Sequence, residues 1–133
     1  MKASAKKVPV HFRQGDVLIV MVDQLPATVK ARKRTSRGIV LAEGEVTGHA
    51  HAITARKVTH YDAPNAAEAA RQLLSDVGLT IEIETDERVS FLDLGQAAEL
   101  RHEEHGTIAL PAGRAVVIRQ REYSPAAIRV VGD

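Results

Sequence analysis

The run DVLIVMVD (16–23) carries apolar side chains at consecutive positions, which predicts a strand buried on both faces. The segment 114–123 alternates instead. Ala115, Val117, Arg119 and Arg121 share one face there, and Val116, Ile118, Gln120 and Glu122 the other, which predicts a long strand. LTIEIE (79–84) alternates strictly between apolar and polar residues, the mark of a half-exposed strand. Shorter strands are expected at 39–42, 49–54, 57–61, 88–94, 97–102, 107–110 and 128–131. One segment has a different period. Ala67, Ala70, Leu73, Leu74 and Val77 recur at helical spacing, Asp62-Ala63-Pro64 supplies a start signal and Gly78 a stop. Gln14-Gly15 and Pro111-Ala112-Gly113 read as turns, and the polar, basic stretch 27–38 as a loop or hairpin tip.

Many short strands with one short helix (about 65–77) predict a mainly β fold, either a small β-barrel or a two-sheet sandwich. Residues 1–9 read as a flexible N-terminal tail and residues 10–133 as a single β-rich domain.

Composition sharpens this in two ways. Aromatic residues are only 3% of the 133, with no tryptophan, so the core must be built from Val, Ile, Leu and Ala. Cysteine is absent, which removes disulfides and thiolate metal sites. The formal net charge of +1 gives no global field for nucleic acid or membrane. No apolar run reaches the roughly 18 residues of a membrane span, and no apolar stretch follows the basic N-terminus as in a signal peptide, so a cytoplasmic location and no membrane partner are expected. Locally, Lys30, Arg32, Lys33, Arg34 and Arg37 form a basic run suited to phosphate contacts. No aromatic side chain interleaves with it to stack on bases, so a solvated loop explains it as well.

Four of the six histidines fall into two tight pairs, His49 and His51 in GEVTGHAHAI (44–53) and His102 and His105 in LRHEEHG (100–106). Residues i and i+2 of a strand point to one face, so His49, His51 and Ile53 would share a face, and the apolar Ile53 suggests that it points inward. Imidazoles with a carboxylate, in the absence of thiolates, suit zinc or iron, and an open coordination position would allow water activation. His49, His51, His102 and His105 are therefore the candidate ligands of a divalent metal. Glu45, Glu103 and Glu104 are the carboxylates at hand, with Glu45 and Glu104 candidates for a general base. A shared ion requires the imidazoles of His51 and His102 to lie within about 8 Å, because zinc–nitrogen bonds are about 2 Å long. His60 stands alone and reads as structural or exposed.

The segments GEVTGHAHAI and HEEHGTIALPAGRAVVIRQREYSP resemble a recurring pair in a family of uncharacterised small bacterial proteins, a resemblance that implies a family and no activity. The chain also resembles cupin barrels, in which a glycine precedes an HxH pair on one strand and a later segment carries a PxG turn. Gly44 precedes His49-Ala50-His51, and Gly106 precedes Pro111-Ala112-Gly113. Each spacing is one residue short of that pattern. The glutamate expected after HxH is missing from 52–58, and Ala115 and Val116 stand where a histidine should follow PxG, so His102 or His105 would have to replace it.

Two function classes follow. One is a small metal-binding β protein using the histidine cluster, whether or not it catalyses a reaction. The other is a non-enzymatic protein- or nucleic-acid-interaction module, with the basic run 30–37 and a possible homo-oligomer.

Overall fold

The computed structural model describes residues 9–43, 48–120 and, as backbone, 129–130. Its elements in chain order are β1 (His11–Gln14), β2 (Val17–Val22), β3 (Lys30–Ala31), β4 (Ile39–Glu43), β5 (Ala50–Ile53), β6 (Val58–Asp62), α1 (Ala66–Asp76), β7 (Leu79–Thr80), β8 (Val89–Leu94), β9 (Ala98–Leu100), β10 (Ile108–Leu110), β11 (Gly113–Arg119) and β12 (Arg129–Val130). Residues 1–8 of the tail expected over 1–9, Glu45 and the end of the long strand at 121–123 lie outside the described residues.

The fold is mainly β with one helix. An open six-stranded sheet runs β1-β2-β11-β8-β6-β3, so among the described residues no barrel closes and the sandwich alternative applies. β2 and β11 are central and antiparallel, with Val20 opposite Val116 and Leu18 opposite Ile118. Both faces of this sheet are covered, which is why β2 is apolar at every position. On one face Leu18, Val20, Val116, Ile118 and Phe91 meet the α1 residues Ala67, Ala70, Leu73 and Leu74. On the other, Val17, Ile19, Ala115, Val117 and Leu92 meet Ile39, Leu41, Ile53, Leu100 and Leu110 from two hairpins, β4–β5 and β9–β10. The two-faced alternation read along 114–119 thus corresponds to two separate apolar layers.

The hairpins are joined to each other. Ala52 and Arg101 exchange two backbone hydrogen bonds of 2.9 Å, which sets β5 beside β9 and makes a second layer of β4, β5, β9 and β10 over the large sheet.

Local details depart from the sequence reading in four places. The alternation of 79–84 is realised in burial, with Leu79, Ile81 and Ile83 buried, but only Leu79–Thr80 pairs with another strand. The remaining residues pack on α1 without a ladder, because hydrophobic alternation records which side faces the core and not whether a neighbouring strand exists. β1 was not anticipated: HFRQ is polar, and it forms because β2 offers an edge for His11↔Val20 through Gln14↔Val17. Within the loop expected at 27–38, Lys30–Ala31 pairs briefly with β6. The start of α1 also has an unexpected partner. Its N-cap, Asn65, is left-handed and makes no side-chain cap, and the Asp86 carboxylate accepts the Ala67 N–H at 2.9 Å instead.

His60 on β6 is 4% exposed, and its Nε2 has no hydrogen-bond partner. Burial, helped by the neighbouring Arg32 and opposed by Asp62, pushes its pKa down to about 4 from 6.5. Between these values the unfolded chain takes up a proton that the folded chain refuses, so stability falls as pH falls through that window. The gap corresponds to about 3 kcal/mol. Urea unfolding at pH 7 and pH 4 should show this loss, and His60→Leu should remove that part of the pH dependence. Equal losses in the two proteins would contradict the assignment.

Candidate metal centre

The Ala52–Arg101 bridge fixes where the candidate ligands go. His51 precedes Ala52 and His102 follows Arg101, so the two backbones bring these imidazoles together. Their ring centroids lie 4.3 Å apart. His102 is also 5.7 Å from His49 and 4.6 Å from His105, and His105 is 5.8 Å from His51. All four histidines of the two pairs therefore meet, while His60 lies in β6, outside the group. His49 sits just before β5 and is half-buried, whereas His51 is 2% exposed.

Around this cluster the hydrogen bonds assign protons. Gln14, buried at the end of β1, donates its amide NH2 to Leu100 O at 3.0 Å and Gly106 O at 2.9 Å. Carbonyls only accept, so the amide cannot be turned around, and Gln14 Oε1 must face His51 Nδ1, 2.8 Å away. That nitrogen carries the proton, and the Nε2 lone pair of a neutral His51 is free to bind something else. It points at Asp16 Oδ1, 3.2 Å distant. Burial, then the charge of His102, lowers the His51 pKa, and the neighbouring Asp16 works in the opposite direction. The close Asp16 contact alone would suggest an imidazolium ion pair. Burial and the adjacent histidines outweigh it and favour the neutral ring.

His102 is arranged differently. Its Nδ1 accepts the backbone N–H of Glu104 at 3.0 Å and, more weakly, of His105 at 3.4 Å. In the neutral ring Nε2 then keeps the proton, so metal coordination through His102 requires these bonds to reorganise. Among the described residues His49 Nδ1 is buried with no hydrogen-bond partner, and Glu104 Oε2 lies 3.7 Å away. Glu103 turns back and accepts the Ala50 N–H at 2.9 Å, and this bond holds its carboxyl below the usual range. His49, His102 and Glu103 each offer a ligand atom, all within 4.8 Å of one another. An open depression of about 390 Å³, whose lining includes Arg37, Arg101, His102 and Glu103, borders two members of this group.

Of the residues expected to matter, Glu104 lies at the rim, 60% exposed, and Glu45 is outside the described residues. Gln14 and Asp16 went unrecognised in the sequence. A single amide and a single acid beside a turn carry no local signal, and only the 100–106 loop folding over β1 gives them a role. The basic run is largely engaged within the fold. Arg32 binds Asp62 at 2.6 Å, Arg34 donates to Val58 O and Thr54 O, and Arg37 pairs with Glu43. Lys30 and Lys33 are exposed.

Fold and site together define a mainly β protein with a partly buried, hydrogen-bond-oriented histidine cluster between two hairpins, His51 being its buried member. The chain belongs to the family described as a domain of unknown function (DUF8820), whose model matches residues 13–120 and so includes every residue of the cluster. Comparison with curated proteins and with solved structures gives no match.

Gln14 satisfies two buried groups, Leu100 O and His51 Nδ1, and also the Gly106 carbonyl at the exposed loop end, so its loss should be costly. Gln14→Ala should lower stability by about 2–4 kcal/mol in denaturant unfolding, since each buried unsatisfied group costs about 1–3 kcal/mol. A change below about 0.5 kcal/mol, the scale of an ordinary surface substitution, would contradict the clamp.

Proposed function

We propose that this protein binds a divalent transition metal, zinc or iron, through its histidine cluster. The observation that carries the reading is the convergence of His49, His102 and Glu103, with ligand atoms within 4.8 Å of one another and a buried His49 Nδ1 that has no hydrogen-bond partner among the described residues. An unpaired buried nitrogen costs free energy, and a metal bond relieves that cost. The absence of cysteine leaves imidazole and carboxylate donors, the set that zinc and non-haem iron accept. His51 and His105 stand against His102, and the depression that borders His102 and Glu103 leaves room for water or a small ligand at an open position. Glu104, near His49, is the carboxylate placed for a general base if the bound metal activates water. The reading needs nothing of the cupin likeness beyond the HxH pair.

Metal analysis of the purified protein, followed by zinc titration against a chelating dye, tests this. The parent should retain or take up zinc, and the double variant His49→Ala, His102→Ala should lose the zinc these residues hold, binding fewer equivalents or at least tenfold more weakly. Equal stoichiometry and affinity in parent and double variant, or no uptake by the parent, would overturn the reading.

A further inference from the structure

We infer that Asp16 and His51 form a second cation position beside the His49–His102–Glu103 group, so that the cluster holds two divalent metal ions. The inference rests on the metal-binding reading above and extends it to a separate pair of donors.

Gln14 sets the protonation of His51. Its amide nitrogen is committed to Leu100 O and Gly106 O, so its oxygen holds the proton of His51 on Nδ1. The other nitrogen of this buried ring then presents a lone pair to a carboxylate oxygen 3.2 Å away. Two acceptors at that distance have no hydrogen bond to make and repel each other unless a cation lies between them. The separation also suits such an ion. Donors about 2.0–2.2 Å from a tetrahedral metal lie about 3.3–3.5 Å apart. A histidine whose remote N–H is held by a buried amide oxygen is oriented as metal-bound histidines are, with the tautomer fixed before the ion arrives.

The surroundings fit the same occupant. Asp16 is 43% exposed, so the position is open to solvent for entry and for water ligands. Gly15, immediately before it, has φ +59°, and a Cβ there would stand 2.7 Å from His105 Nε2. Glycine at this turn thus lets a third imidazole nitrogen rest against the backbone next to Asp16. The two positions are adjacent and distinct. His51 and His102 pack at 4.3 Å, but Nε2 of His51 is directed at Asp16, whereas His102 gathers with His49 and Glu103. One tetrahedral ion takes four ligands, fewer than the six side chains assembled here.

The competing occupant of the gap is a proton, which would make Asp16 and His51 an ordinary ion pair. Zinc stoichiometry separates the two. The dialysed full-length chain, titrated calorimetrically with zinc at neutral pH, should bind two equivalents. Asp16→Asn, nearly isosteric and half-exposed, should bind one, as should His49→Ala. In the parent, the nitrogen resonances of His51 in a histidine-selective NMR experiment should move as the ions bind. One equivalent in both parent and Asp16→Asn, with unchanged affinity, would overturn the second position while leaving the metal-binding reading intact. Unmoved His51 signals after two equivalents would overturn it as well. No binding by the parent would remove both.

Discussion

The site depends on two reciprocal backbone hydrogen bonds, those between Ala52 and Arg101. They join two hairpins that are otherwise separate and set the register of β5 against the chain leaving β9. Register matters because a strand's side chains alternate, and a slip of one residue would send His51 to the opposite face. With the bridge in place, one histidine from each pair lies directly beside it. Gln14 then closes the arrangement from β1, holding both ends of the 100–106 loop and the ring of His51 with one side chain. Three segments distant in sequence are thereby fixed to one another around four imidazoles.

The large sheet supplies the rigidity on which this rests. It is apolar on both faces, packed by α1 on one side and by the hairpins on the other. Ile53 and Leu100, each two residues from a histidine of the cluster, are fully buried in the hairpin-side layer. The histidines therefore stand at the margin of a packed core, and the surrounding apolar layer lowers the cost of holding neutral rings close together. The same property explains why burial dominates the behaviour of both His51 and His60.

Much of the fold was legible from periodicity. The continuous apolar run became β2, the alternating run became β11 with its two faces in two layers, and the helical spacing became α1. The HxH pair and the HEEH segment were legible as chemistry because residue type alone carries that signal. Their meeting was not, because it depends on a bridge of two residues between hairpins, which leaves no pattern in the chain. β1, Gln14 and Asp16 were hidden for a related reason. Polar residues at a sheet edge look like loop, and a residue that works by touching three distant partners has no spacing of its own. Conversely, LTIEIE promised a longer strand than forms, since a half-buried alternation needs a partner edge to become one.

If the gathered imidazoles hold an ion, its coordination shell is the most direct thing to observe. X-ray absorption spectroscopy at the zinc edge of the loaded protein should give a shell of nitrogen and oxygen donors with the outer-shell scattering of at least two imidazoles. A shell of oxygen alone, without imidazole scattering, would contradict the central claim that the gathered histidines are metal ligands.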